Sequence, residues 1–110
     1  MSALQTAQPP YLNEVIERIT RKFHPVRIIL FGSWARGEAT TDSDLDLLVV
    51  LPKVGHKRKT TVQIGNSLSN LPISKDIIVA TPEEIAQYGN TVGNILRPAL
   101  QEGKIVYEHQ

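Results

Sequence analysis

No cysteine occurs in the 110 residues, which excludes disulfides and thiolate metal sites and suits a reducing cytoplasm. There is no surplus of charge of one sign: Lys and Arg total 12 against 11 Asp and Glu, a formal net charge of +1. The chain as a whole exerts no global pull on nucleic acid or an anionic membrane. Long hydrophobic runs are missing too. Ile28–Phe31, among the longest, is far short of what a bilayer requires, so no membrane partner is expected. The opening residues MSALQTAQPP lack the basic, apolar character of a secretory signal. What remains is ordinary: 41% hydrophobic and 21% charged residues, in a length suited to one domain with a real core. The expectation is a cytoplasmic single domain over residues 10–108, behind a flexible tail over 1–9.

Along the chain, helical and extended patterns alternate. Leu12, Val15, Ile16, Ile19 and Phe23 recur at helical spacing with charges opposite. His24-Pro25 stops that helix, because the residue before proline avoids the helical region. VRIILF reads as a first strand, Gly32-Ser33 as a turn, and WARGEA as a short helix or single turn. SDLDLLVVL is a second strand closed by Pro52, KVGHKRK a basic loop, and TTVQIGNSLSNL a helix with Val62, Ile64, Leu68 and Leu71 inward. SKDIIVAT is a third strand. Thr81-Pro82-Glu83-Glu84 opens a helix, with Thr as N-cap, Pro at the first helical position and acids in the first turn. A further helix is expected around Val92–Gln101 with Gly103 as its C-cap, and KIVYE as a closing strand. The pattern predicts an α/β (α+β) domain: a small mixed β-sheet with helices packed mainly on one face.

The second strand begins with an acid cluster. Asp44 and Asp46 point to one face, since side chains alternate along a strand. Their Cα atoms stand roughly 6.6 Å apart at about 3.3 Å per residue. Two charges at that distance repel by roughly 2.5 kcal/mol at an effective dielectric near 20. Asp76 opens the third strand, so if the two strands are neighbours three carboxylates share one surface. An all-oxygen, multiply anionic set suits a hard divalent cation, Mg²⁺ with Mn²⁺ as the alternative, above Zn²⁺. The plainer reading of an isolated Asp-x-Asp is a pair of solvated acids guarding a strand end. Asp42 is expected to be a turn or cap residue.

Upstream, the first strand runs into Gly32-Ser33 and a short helix, a geometry that aims backbone N–H groups at one point and favours anions there. Gly32 permits close approach and an unusual φ, and the Ser33 hydroxyl can donate to a phosphate oxygen. Alone this is a plain turn with Ser as N-cap. With an acid pair ten residues further on, it reads as a phosphate cradle facing the cation that phosphates carry.

These residues carry a family resemblance. GSWARGEATTDSDLD resembles the Gly-Ser-x10-Asp-x-Asp signature of the nucleotidyltransferase superfamily that includes the beta-type DNA polymerases. The Ala-Arg-Gly after Gly-Ser is similar to the minimal nucleotidyltransferases of bacteria and archaea. The likeness runs from the leading helix through DIIVA to ILRPALQEGKIVYE. The resemblance implies that Gly32 and Ser33 bind the triphosphate and that Asp44 and Asp46 hold Mg²⁺. It also implies that Asp76 completes the metal site and helps deprotonate an attacking hydroxyl.

Arg36 is a further nucleotide-binding candidate, although Glu38 and Asp42 stand close enough in sequence to pair with it. Trp34 is expected to pack on the sheet rather than stack on a base. No aromatic interleaves the basic run His56–Lys59, so nucleic acid is not an expected partner. His24, His56 and His109 lack mutual ligand spacing and receive no site. Members of this minimal family resemble antitoxins that work beside a helical toxin, some of them moving AMP from ATP onto a toxin tyrosine. The expected function is thus Mg²⁺-dependent transfer of a nucleoside monophosphate, from ATP or another nucleoside triphosphate, to a hydroxyl of a helical HEPN-type partner protein. A second copy of the chain is the other candidate partner, in a homo-oligomer. Two alternatives stand: a non-catalytic antitoxin or regulatory module that neutralises its partner by contact, and an enzyme modifying a small molecule such as an aminoglycoside.

Overall fold

Two stretches, Arg27–Phe31 and Leu45–Val50, are buried along nearly their whole length. Central strands with no solvated face require cover on both sides, and that requirement shapes the domain. The structure, a computed structural model, describes residues 8–40 and 42–109. In chain order the elements are α1 (Leu12–Phe23), β1 (Arg27–Phe31), α2 (Ser33–Arg36), β2 (Leu45–Val50) and α3 (Lys57–Ser67). They continue as β3 (Lys75–Ala80), α4 (Pro82–Tyr88), α5 (Leu96–Glu102) and β4 (Lys104–Glu108). Most of the tail expected over 1–9 lies outside the described residues. Of the two tail residues described, Gln8 is exposed and Pro9 is buried, its carbonyl accepting from Leu12 N–H at 3.3 Å.

The four strands form one mixed sheet in the order β3-β2-β1-β4. β1 runs antiparallel to both β2 and β4, while β2 and β3 are parallel. On one face Ile28, Leu30, Leu47 and Val49 pack with Leu12, Val15 and Ile19 of α1 and Ile64 of α3. On the other, Ile29, Phe31, Leu48 and Val50 pack with Leu96 and Ala99 of α5, and Ile85 of α4 leans on the same cluster. The two longest helices share one face, as expected, and two short ones cover the opposite face. Among the described residues no helix is long and apolar enough to cross a membrane.

Local signals explain most boundaries. α1 carries Glu14 in its first turn and Arg21 and Lys22 in its last, the polarity its dipole favours, and ends at a left-handed His24 (φ 51°) before Pro25. α4 starts with a full capping box. Thr81 Oγ1 accepts from Glu84 N–H at 3.2 Å, and Glu84 Oε1 accepts from Thr81 N–H at 3.1 Å.

Three expectations are corrected. The basic run is not all loop, because Lys57, Arg58 and Lys59 form the first turn of α3. Cations there oppose the helix dipole, so the local pattern argued against a helix start. The start is secured by His56 Nδ1, which accepts from Lys59 N–H at 3.2 Å, and by the Lys57–Glu84 ion pair. Val62 is 54% exposed rather than inward, because Ile64 and Leu68, one turn apart, set the buried stripe and Val62 falls nearly opposite. At the other end, α5 begins four residues later than the apolar pattern placed it, leaving Val92 outside the helix.

Gly103 does cap α5, though its backbone is extended (φ −73°) rather than left-handed. Glycine is needed there for space. A Cβ would collide with the Ala99 carbonyl oxygen and Ile29 Cγ2, and it would lie 3.2 Å from the Leu30 carbonyl oxygen. The end of α5 is thereby pressed onto β1. Gly103→Ala is expected to cost about 1–3 kcal/mol, the usual range for overpacking, read as a lower urea midpoint with an unchanged slope.

Candidate active site

The site forms where the C-terminal end of β1 meets the N-terminal ends of β2 and β3. Antiparallel pairing sets Phe31 opposite Asp46, and parallel pairing sets Asp46 opposite Asp76. Asp44 lies two residues before Asp46, just ahead of β2. One sheet end therefore collects Asp44, Asp46 and Asp76, the three acids singled out in the sequence. Asp46 is half-buried, while Asp44 and Asp76 are exposed.

Gly32 follows β1 with φ 74° and ψ −156°, a combination open essentially to glycine alone. It also has no room for a side chain, since a Cβ would collide with Asp46 Oδ2 and lie 2.9 Å from its Cγ. The missing side chain lets the turn lie against the carboxylate. α2 then closes on this turn, with the N–H groups of Ala35 and Arg36 donating to the Gly32 carbonyl at 3.0 and 3.1 Å. Gly37, left-handed at φ 76°, ends it. Ser33 is half-buried at the first position of α2.

Electrostatics single out Asp46. Burial pushes its carboxyl above the ordinary aspartate range, the charges of Asp76 and Asp44 push it further, and only Arg36 pulls it back. The repulsion expected from the sequence is thus present and only partly offset. Among the described residues no three His, Cys, Asp or Glu side chains stand at metal-ligand spacing. The donor set itself fits a hard divalent cation: oxygen only, multiply anionic, and carrying charge that one guanidinium does not neutralise.

Arg36 bonds to Glu38 Oε1 and Glu102 Oε1, each at 2.9 Å, and not to Asp42. Asp42 sits in a turn, its N–H donating to Thr40 Oγ1 at 3.3 Å. Trp34 is half-buried against the α1–α3 face of the core and lines a cleft of about 260 Å³ with Pro9, Pro10, Asp42, Ser43 and Ser74. Glu102 was not foreseen in the site. It arrives from the end of α5, and its carboxylate also accepts from Gly32 N–H at 3.3 Å. Nothing local in the sequence marks it except the glycine that follows.

The chain is similar to known proteins over most of its length. The family model of the nucleotidyltransferase domain matches residues 12–102. A relative from Methanocaldococcus jannaschii, named as a protein adenylyltransferase, is 33% identical over 87 residues, covering 77% of this chain. The chain spans about half (51%) of that relative's length. Among solved structures, a nucleotidyltransferase from Sulfolobus solfataricus superposes with a TM-score of 0.66 at 18% identity, covering 96% of this chain and 85% of its own. A toxin–antitoxin structure with AMP-PNP gives 0.56 at 18% identity, covering 90% and 75%. The MntA–HpeT toxin–antitoxin gives 0.52 at 17%, covering 89% and 73%. At these identities the likeness is one of fold.

The raised Asp46 carboxyl has a stability consequence of fixed sign. The folded chain holds that proton more tightly than the unfolded chain. Stability therefore falls as pH rises from the ordinary aspartate value, about 3.9, through the raised one, and the loss is complete above it. Asp46→Asn is expected to melt higher than the parent at pH 7, with the advantage disappearing below the ordinary aspartate range. Mg²⁺ at ten times its Kd should stabilise the parent by about 1.4 kcal/mol and the variant by less, measured by thermal melts with and without the ion.

Proposed function

Since the chain belongs to the nucleotidyltransferase domain family, we propose that it transfers AMP from ATP to a hydroxyl of a partner protein. The observation that carries this reading is the Asp46–Asp76 pairing across β2 and β3, set against the close-packed Gly32 turn. Two similar proteins support the choice of nucleotide and acceptor: a relative named as a protein adenylyltransferase and a fold neighbour solved with AMP-PNP. The toxin–antitoxin neighbours support an antitoxin role beside a helical, HEPN-type partner.

On this reading Asp44, Asp46 and Asp76 hold Mg²⁺. When bound, the ion neutralises the acid cluster and the charge that develops on the transferring phosphate. The residues of the chain do the rest. Gly32 N–H, the Ser33 hydroxyl and Arg36 hold the phosphates, fixing the α-phosphorus in line with the acceptor. The exposed Asp76 takes the proton of the attacking hydroxyl. A bond forms from that oxygen to the α-phosphorus, the bond to the bridging oxygen of the β-phosphate breaks, and pyrophosphate leaves.

The test is transfer of label from α-labelled ATP to the product of the adjoining gene in the presence of Mg²⁺. Asp76→Asn is expected to slow transfer by about 10²–10⁴-fold, the range for a lost general base, and Asp44→Asn to abolish it. A module acting by contact alone predicts the opposite: no label moves, and the Asp44→Asn and Asp76→Asn chains neutralise the partner as well as the parent does.

A further inference from the structure

Glu102 closes α5 with its side chain turned to the Gly32 turn. One oxygen, Oε1, accepts from Arg36 Nη1 at 2.9 Å and from Gly32 N–H at 3.3 Å. These two donors are among those the nucleotidyltransferase reading gives to the nucleotide. A carboxylate oxygen bridging a guanidinium and a backbone amide has the same acceptor chemistry as a phosphate oxygen. Glu102 and a triphosphate thus compete for the same groups, and their negative charges repel. Resting on that reading, we infer that Glu102 is a phosphate-mimicking placeholder, which keeps Arg36 and the turn amide aimed for a phosphate and which a nucleotide must displace to bind.

The surroundings decide how displacement occurs. Gly103, with no room for a Cβ against Ala99, Ile29 and Leu30, pins the chain beside Glu102 to β1. The next residue, Lys104, already pairs with Leu30 in the sheet. The backbone at Glu102 is held from both sides, so release is by rotation of the side chain. That side chain is 31% exposed and has solvent to turn into. Arg36 keeps its second partner, Glu38, on the exposed side, and so remains ordered when Glu102 leaves. The charge of Glu102 also adds to the repulsion on Asp46, so turning it into solvent offsets part of the negative charge that the phosphates bring.

The experiment is calorimetric titration of the full chain with ATP and Mg²⁺, comparing the parent with Glu102→Gln and Glu102→Ala. Both variants are expected to bind about three- to fivefold tighter, the measure of one exposed ion pair no longer opposing the ligand. In an Arg36→Ala background the gain should shrink toward the parent, because the charged one of the two shared donors is gone. Equal or weaker binding by both variants, with melting temperatures matching the parent, overturns the placeholder and leaves the nucleotidyltransferase reading standing. No ATP binding by any of the chains overturns both.

Discussion

The organising constraint is the carboxylate of Asp46, held half-buried between a turn that leaves no room for it to move back and two like charges. Antiparallel β1–β2 and parallel β2–β3 bring one C-terminal and two N-terminal strand ends to the same edge of the sheet. Two further elements extend this meeting. α2 folds the Gly32 turn over the strand ends, and α5 returns to set Glu102 beside them. Such an arrangement does not stabilise a fold. It persists because apolar packing on both faces of β1 and β2 over-determines the strand register. A one-residue slip would turn Asp46 and Leu47 to the wrong faces together.

That division explains where the domain is rigid and where its chemistry lies. The apolar residues occupy the body of the sheet: Ile28, Leu47, Leu48 and Val49 are fully buried. The uncompensated charge is confined to one edge, where solvent still reaches Asp44 and Asp76. A carboxylate whose environment disfavours its charged form is a functional candidate on physical grounds. Here the shift has named causes, burial first and two facing acids after it.

Much of this was legible in the sequence where signals were local. The helical spacing of Leu12, Val15 and Ile19, the strand runs, and Thr81-Pro82-Glu84 as a helix start all reappear in the structure. One failure was equally local in cause. Three cations at the start of α3 contradict the dipole rule, and the cap that overrides them is a histidine, outside the residues usually read as N-caps. The acid pair was legible as a same-face pair from its two-residue period, but its partner Asp76 depended on which strands are neighbours, a fact of topology. Glu102 was out of reach altogether. Its contact with Gly32 spans 70 residues, and no short-range pattern encodes it.

Charge balance at this edge ties the cation and the nucleotide of the proposed reaction to each other. Asp46 feels the like charges of Asp76, Asp44 and Glu102, against which only Arg36 draws, and that guanidinium is itself shared with Glu38 and Glu102. A triphosphate arriving alone would add anionic charge to an edge that already holds too much. A cation arriving alone would meet the acids but carry no phosphate to complete its oxygen shell. Each ligand lowers the electrostatic cost of admitting the other, so their binding is expected to be mutually reinforcing, with the coupling reciprocal by necessity. The glycine at position 32 is what makes this economy workable, because it lets backbone donors and the Asp46 carboxylate share one small volume without a side chain between them.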